Sequence, residues 1–201
     1  MQVFRRLNIV RFCSQCGSKN ISYSIPSGDN RKRYHCLSCN SVFYENPKIV
    51  AGCIPVWEDK ILLCKRGIEP RYGLWTLPAG FMENGETTRE AAERETLEEA
   101  GTLVTRSKLY TLFNLPQINQ VYMMFLSHLT EPVFEAGEES LDCKLCLESE
   151  IPWDQIAFPT ITYSLQLFFK DRTAGKFSMH IGDLIREESK SKLKNLSSYS
   201  Y

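Results

Sequence analysis

Two cysteine pairs with the same internal spacing, Cys13-Ser-Gln-Cys16 and Cys36-Leu-Ser-Cys39, constrain the start of this chain more than any other feature. Each C-x2-C pair can present two thiolates to one tetrahedral ion, and a hairpin in the 19 residues between them would bring the pairs together. Gly17 follows the first pair, where a tight turn needs a permissive backbone, and the aromatic residues Tyr34 and Phe43 flank the second. A module of about 40 residues buries too little apolar surface to fold alone, so a structural Zn2+ held by Cys13, Cys16, Cys36 and Cys39 is the expected staple of residues 1–46. His35 adjoins Cys36 but is not needed, because four sulfurs already complete the shell. The alternatives are four free thiols, or two disulfides in an exported protein. Met1–Arg11 carries three arginines and no long apolar stretch, which is unlike an export signal.

The other four cysteines read differently. Cys53 and Cys64 lie in apolar strand-like runs, as small core residues do. Cys143 and Cys146 form a lone C-x2-C in an alternating segment, where positions three apart point to opposite faces, so neither metal nor redox chemistry is expected.

The 201 residues hold 24 basic and 24 acidic side chains, but the balance is uneven. Residues 1–46 carry seven basic and two acidic groups, a net +5, and the remainder carries 17 and 22, a net −5. A basic module would attract phosphates of a nucleotide or a nucleic acid. A hairpin kept soluble by Arg31-Lys32-Arg33 is the plainer reading, and nucleic acid is possible without being favoured. No apolar run approaches the ~18–20 residues that span a bilayer, so a cytoplasmic location is expected.

Beyond Pro47 the pattern predicts a β-hairpin, 49–57 and 60–65, then a loop with Gly67, Pro70 and Gly73. A helix follows over 88–100, with Thr87 as N-cap, Glu90 closing a capping box and Gly101 at the C-terminal left-handed position. Strands are expected near 103–113, 120–130 and 141–147, and a final helix over 163–171. The tail from Arg186, rich in Ser and Lys, reads as frayed. Few helices amid a mostly mixed sheet indicate an α+β or α/β chain with helices on the sheet faces.

On the helix 88–100, Glu95, Glu98 and Glu99 share one face (i, i+3, i+4). Three carboxylates this close repel one another, and a hard divalent cation such as Mg2+ or Mn2+ would relieve them. Taken alone, such a triplet is more often a solvated surface. Its context is Gly80-x5-Glu86-x7-Arg94-Glu95-Thr96-Leu97-Glu98-Glu99-Ala100-Gly101-Thr102. This resembles the Nudix box, G-x5-E-x7-R-E-U-x-E-E-x-G-U, with U a bulky aliphatic residue. All seven fixed positions match, and both U positions are Thr.

The resemblance implies an α/β/α sandwich with a mixed sheet between helices, preceded by a zinc ribbon. It places the ribbon at 1–46, the Nudix domain at 47–172 and a C-terminal extension, flexible at its end, at 173–201. It also implies hydrolysis of a nucleoside diphosphate linked to another moiety. Glu95, Glu98 and Glu99 would hold Mg2+ or Mn2+ with the Gly80 carbonyl as a possible further ligand. Arg94 would orient the glutamates and Glu86 would fix the loop–helix junction. The general base lies on the box helix in some relatives and in a later loop in others. Glu139, with Asp142 three residues on, is the best later candidate here, followed by Glu138.

With its four-Cys ribbon the chain is similar to two Nudix branches. The NADH pyrophosphatases carry an S-Q-P-W-P-F-P-x-S array, which the stretch Ile151-Pro152-Trp153 to Phe158-Pro159-Thr160 keeps only in part, with four residues inserted. The ADP-ribose/FAD pyrophosphatases are resembled over nearly the whole length, including Glu45-Asn46-Pro47-Lys48 and Leu74-Trp75-Thr76-Leu77-Pro78-Ala79-Gly80-Phe81. FAD and ADP-ribose are therefore the first expected substrates, and a homodimer is implied. Tyr72, Trp75, Phe113 and Phe125 are candidates to stack on a base, although such aromatics are more often core.

Overall fold

The computed structural model describes residues 10–187 and 190–200 of the chain. Arg5 and Arg6, part of the basic N-terminal charge, lie outside the described residues. The chain separates into two compact units, Met1–Asn46 and Pro47–Tyr201.

The first unit is a three-stranded antiparallel sheet of β1 (Ile21–Ser24), β2 (Arg33–Cys36) and β3 (Val42–Phe43). Tyr23, Ile25, Leu37 and Tyr44 all stay exposed, whereas Cys13 and Cys36 are buried. Apolar burial therefore cannot hold this unit: among its described residues only Cys13, Pro26 and Cys36 are buried, and Cys16 and Cys39 are exposed. The basic run sits at the turn into β2, where Arg33 pairs with Asp29 at 3.1 Å and Arg31 and Lys32 face solvent.

The second unit is built on β4 (Lys48–Trp57), β5 (Lys60–Arg66), β6 (Trp75–Thr76), β7 (Ala79–Phe81), β8 (Val104–Leu115), β9 (Gln120–Leu129), β10 (Ser140–Cys146), β11 (Ser178–Glu187) and β12 (Lys190–Ser200), with helices α1 (Thr88–Ala100) and α2 (Pro159–Ala174). The sheet order is β10-β5-β4-β9-β8-β11-β12, with β6 beside β5 and β7 beside β4. β4 runs parallel to β9, and β8 to β11; the other pairings are antiparallel, so the sheet is mixed as expected.

Alternation along the strands assigns the two helices to opposite faces. Ile61 and Leu63 of β5, with Ile54 and Val56 of β4, pack with Ile161, Leu165 and Phe168 of α2. Their neighbours Leu62 and Cys64 pack with Ala100 of α1, and Ala51 and Cys53 with Ala91 and Ala92. The α1 side is lined by alanines, so this helix lies close to the sheet. The α2 side takes the large residues, each worth about 1.5–3 kcal/mol when fully buried. This is the α/β/α sandwich.

The C-terminal expectations need correction. The helix predicted over 163–171 runs from Pro159, in the first helical turn, to a left-handed Gly175. The segment expected to fray is a β-hairpin: β12 pairs with β11 from Ser178↔Ser200 to Glu187↔Lys190 and widens the main sheet. An extension beginning at 173 is thus not separate from the sandwich. Leu184 is buried in the α2-side core, and His180 Nε2 meets Asp171 Oδ2 at 2.8 Å beneath Tyr110. The Ser- and Lys-rich side chains of β12 point mostly to solvent, so its composition resembles a tail while its backbone completes a ladder. Glu188, Ser189 and Tyr201 of that tail lie outside the described residues.

Candidate active site

The site is assembled where β7 runs into α1. β7 pairs with β4 through Ala51↔Gly80 and Gly52↔Ala79, and a Cβ on Gly52 would collide with Ala79. A Cβ on Gly80 would collide with the Glu95 carboxylate, which lies over that backbone. This close approach explains the glycine that opens the motif. α1 starts as predicted: Thr87 Oγ1 accepts from Glu90 N–H at 3.2 Å, and Glu90 Oε2 accepts from Thr87 N–H at 2.7 Å. It ends at Gly101, with φ 58°. The two Thr residues at the U positions are accommodated without apolar bulk. Thr96 is fully buried and donates to the Ala92 carbonyl at 2.8 Å, and Thr102 is also buried.

Arg94 is the hub. Its Nε and Nη2 donate to the two oxygens of Glu86 at 3.0 and 2.8 Å, Nη1 donates to Glu95 and Glu98 at 2.8 and 2.9 Å, and Nη2 also reaches the Phe81 carbonyl at 3.2 Å. The fork holds the Glu86 carboxyl down at about 2, and the glutamates push the guanidinium's pKa further up. The three stripe glutamates sit at graded depth. Glu98 is exposed and Glu95 partly buried, while Glu99 is 7% exposed with its Oε2 accepting from Ala79 N–H at 3.2 Å. Burial first, then the Glu95 charge, pushes the Glu99 carboxyl up to about 8, and burial raises Glu95 as well.

The loop before β10 comes to this face through backbone contacts. Gly137 N–H donates to the Glu99 carbonyl, and a Cβ on Gly137 would collide with the Glu98 carbonyl. Gly67 N–H donates to the Glu139 carbonyl at 2.7 Å. Glu138 and Glu139 are both exposed and line the cavity, and the Glu139 charge acts on both Glu95 and Glu99. Asp142 does not line the cavity; it sits opposite Lys65 in the β10–β5 ladder.

The cavity measures about 1010 Å³, at the upper end of the ~300–1,000 Å³ typical of small-molecule sites. Its walls include residues that sequence reasoning missed: Arg66 at the end of β5, Tyr122 of β9, Phe158 and Thr160 at the start of α2, and Arg186 of β11. Arg66 lies over the Phe158 ring at 5.2 Å. Of the aromatics proposed for stacking, Trp75, Phe113 and Phe125 are core residues and Tyr72 is an exposed loop residue outside the cavity. Tyr122, Phe158 and Phe81 are the cavity's aromatics. Pro159 and Gly175 bracket α2 with ordinary helix-end signals that would have placed Phe158 and Thr160 at its head.

In the first unit, the Sγ atoms of Cys13, Cys16, Cys36 and Cys39 all lie within 4.8 Å of one another, and the pairs 13–39 and 16–36 are 3.6 Å apart. A tetrahedron with metal–sulfur bonds of ~2.3 Å has edges of about 3.8 Å, so the cluster fits Zn2+ closely. Both C-x2-C turns close in the same way: Gly17 N–H donates to the Cys13 carbonyl and Asn40 N–H to the Cys36 carbonyl, with φ 73° and 59°. His35 is outside the cluster and meets Ser24 Oγ at 2.8 Å. Among the described residues this is the one group of three or more potential ligands so tightly gathered. Of the stripe glutamates, Glu95 and Glu98 are drawn onto Arg94 and Glu99 onto the Ala79 N–H, and their hard-oxygen chemistry suits Mg2+ or Mn2+. Cys143 and Cys146 do fall on opposite faces. Cys146 is in the α2-side core, and Cys143 lies 3.5 Å from Cys64, its partner across the ladder.

Among the described residues, no helix is long and apolar enough to cross a membrane.

Comparison with known proteins agrees with this geometry. The NUDIX domain model matches residues 46–161, and the "Nudix N-terminal" zinc-ribbon model matches residues 11–45. A NUDIX hydrolase of Nitrosomonas europaea superposes with a TM-score of 0.84 at 48% identity, covering 88% of this chain and all of that one. Among curated relatives, NAD-capped RNA hydrolase NudC of Vibrio cholerae is 35% identical over 102 residues, which is 50% of this chain and 35% of the relative. NudC of Salmonella paratyphi C is 30% identical over 142 residues, 69% and 50% of the respective chains. The chain thus spans half or less of the length of these curated relatives. With the box face, the four-sulfur cluster and the layered sheet all in place, the chain belongs to the Nudix hydrolase family and carries that family's N-terminal ribbon.

Proposed function

We propose that this chain is a divalent-cation-dependent pyrophosphohydrolase that cleaves the P–O–P linkage between a nucleoside monophosphate and a second phosphorylated moiety. FAD and ADP-ribose are the leading substrates. FAD would give AMP and FMN, and ADP-ribose would give AMP and ribose 5-phosphate. The observation that carries this reading is the convergence of Glu95, Glu98, Glu99 and Glu139 on one cavity of dinucleotide size, with Arg94 tying the stripe to Glu86.

Glu95, Glu98 and Glu99, with the Gly80 carbonyl, are the residues that would hold Mg2+ or Mn2+. A divalent cation supplies neutralisation of the diphosphate and acidification of water at that point. Arg94 keeps two of the carboxylates aimed. The exposed carboxylate of Glu139, on the cavity wall, would accept the proton of the attacking water, with Glu138 second. Zn2+ at the four cysteines is structural, since four sulfurs leave no open position for a substrate.

A second reading, hydrolysis of NAD-type dinucleotides including those that cap RNA, is favoured by the printed names of the NudC relatives. Against it stands the interrupted array between Ile151 and Thr160. A panel of FAD, ADP-ribose, NADH and NAD-capped RNA, assayed with Mg2+ and Mn2+ and resolved by product, decides between them. AMP released fastest from FAD or ADP-ribose supports the first. Preference for NADH or capped RNA supports the second, and no turnover of any of them contradicts both.

A further inference from the structure

We propose that Cys64 and Cys143 are a reversible disulfide site: a hydroperoxide joins their sulfurs across the β5–β10 ladder, and the joined pair disturbs the Glu99 end of the glutamate stripe. The modification goes beyond the pyrophosphohydrolase reading and does not depend on it. Its effect on cation binding rests on the stripe being the metal face.

The spacing of Cys143 and Cys146 sets them on opposite faces, so they do not bond to each other. Folding supplies Cys143 with a different partner. It stands directly opposite Cys64 in the antiparallel register of β10 and β5. Directly opposed strand residues have Cα atoms about 4.5–5.5 Å apart, inside the ~4.4–6.8 Å that a disulfide spans. Both side chains lie on the α1 side of the sheet with Leu62, Ala100 and Leu129, and their sulfurs are 3.5 Å apart.

The other thiols are placed differently. Cys53 Sγ donates to the Ala92 carbonyl at 3.4 Å and accepts from the Ser127 hydroxyl, Cys146 is in the α2-side core, and the ribbon sulfurs form their own cluster. A metal does not account for the pair. Among the described residues, no third cysteine, histidine or carboxylate is gathered with Cys64 and Cys143 as the four ribbon sulfurs are gathered.

β10 is the edge strand of the sheet, and Cys143 is partly exposed there while Cys64 is 1% exposed. A small hydroperoxide therefore meets Cys143 first. The Cys143 sulfur takes the terminal peroxide oxygen and becomes a sulfenic acid, releasing the alcohol, or water from hydrogen peroxide. The Cys64 sulfur then displaces the hydroxyl, which leaves as water with the Cys64 proton. The sulfur pair loses two electrons and the peroxide O–O bond takes them. A dithiol reverses the step by exchange.

The pair is tied to the stripe through backbone. Cys143 Sγ is also 3.5 Å from the Glu99 carbonyl oxygen, which accepts from Gly137 N–H at 3.1 Å. The Glu139 carbonyl accepts from the N–H of Gly67, three residues beyond Cys64. Closing the sulfurs from 3.5 Å to a bond of ~2.05 Å removes the S–H donor from Glu99 and draws β10 toward β5. The irregularity between Ser140 and Asp142 gives β10 slack for that movement. Metal ligands must sit within about 0.2 Å of their proper distances, so a shift at the Glu99 backbone weakens a cation on the stripe.

The test uses the full chain with zinc bound. It is treated with an equimolar amount of hydrogen peroxide, freed of peroxide, alkylated and digested with trypsin. The digest leaves Cys64 on residues 61–65, Cys143 on 109–144 and Cys146 on 145–170. The expected product is a cross-link of 61–65 to 109–144 in a chain that still migrates as a monomer, removed by dithiothreitol and absent from Cys143→Ser and Cys64→Ala. Cys143→Ser keeps a hydroxyl for the Glu99 carbonyl and tolerates the partly exposed position, so it serves even if Cys64→Ala folds poorly. In a second arm, Mn2+ affinity is read by electron paramagnetic resonance without substrate. The cross-linked wild type should bind about tenfold more weakly than the reduced chain and recover with dithiothreitol, and peroxide should leave Cys143→Ser unchanged. Cys143 that stays alkylatable, or that ends as a sulfinic acid with Cys64 still free, overturns the disulfide. Equal Mn2+ affinity in the cross-linked and reduced chains overturns the coupling. Reduced wild type that binds no Mn2+ contradicts the metal reading of the stripe instead, and the cross-link map still decides the disulfide.

Discussion

Arg94 and Glu86 meet in a two-bond fork, Nε to Oε2 at 3.0 Å and Nη2 to Oε1 at 2.8 Å, that links the middle of α1 to the loop entering it. Through that fork a residue outside the glutamate stripe sets the geometry of the stripe, because the same guanidinium holds Glu95 and Glu98.

The fork gives the fold an acid limit with a defined sign. The Glu86 carboxyl lies at about 2 in the folded chain, below its unfolded value near 4.3. Its contribution to stability is therefore complete above pH 4.3 and is lost as pH falls through 2. Glu86→Gln should flatten the decline of melting temperature between pH 4.3 and 2, and at neutral pH should lower turnover by releasing Arg94. Melting curves across that range, with parallel assays, check both effects.

Glu99 works in the opposite direction. Its carboxyl is raised to about 8, chiefly by burial, so the folded state binds a proton that the unfolded state has released above pH 4.3. The stability tied to that proton is full below pH 4.3 and is lost as pH rises through 8. Glu99→Gln should therefore melt higher than wild type above pH 8 when no divalent cation is added. At pH 7, Mg2+ binding to wild type should release a proton, read as a dependence of calorimetric heat on buffer ionisation enthalpy. A buffer-independent heat would count against Glu99 as a ligand.

Glu98 carries the cleanest loss-of-function test because its side chain is 58% exposed and supports no packing. Glu98→Gln should fold and melt like wild type. It should lose turnover by more than the ~10–100-fold typical of changes just outside a metal's ligands.

The ribbon should depend on its ion. Cys36 is fully buried and sits 3.6 Å from Cys16. Cys36→Ser should lower bound zinc from one per chain to none and unfold residues 11–45, with the amides of β1 and β2 losing protection from hydrogen exchange. One zinc retained per chain would contradict the assignment.

The C-terminal hairpin should prove integral to the sandwich. His180 is 4% exposed and holds Asp171, which is itself buried beside Tyr110. His180→Ala should cost about 1–3 kcal/mol, the scale of one lost hydrogen bond to a carboxylate, with Tyr110 O–H and Ser178 N–H still donating to Asp171. Chemical denaturation measures this, and a change within error would show that the contact is incidental.

The parts of the molecule legible in the sequence are those written in local spacing. The capping box at Thr87, the left-handed Gly101, the stripe at 95, 98 and 99 and the two cysteine turns each depend on residues a few positions apart. The cavity wall was not legible, because Arg66, Tyr122, Phe158 and Arg186 come from four elements that meet only in the folded sheet. β12 was missed for another reason: an edge strand satisfied by backbone pairing needs little apolar alternation, and Lys190–Ser200 has almost none. The stacking candidates failed because aromaticity does not tell core from cavity. Phe113 is fully buried and Phe158 lines the site, and only the topology separates them.

The central claim is that the α1 stripe gathers divalent cations against a diphosphate. The direct measurement is anomalous diffraction from crystals grown with Mn2+ and a non-hydrolysable methylene analogue of ADP-ribose. The account predicts manganese peaks bounded by Glu95, Glu98 and Glu99, with the analogue's bridging group beside them. Manganese absent from that stripe, or an analogue seated away from it, would contradict the account.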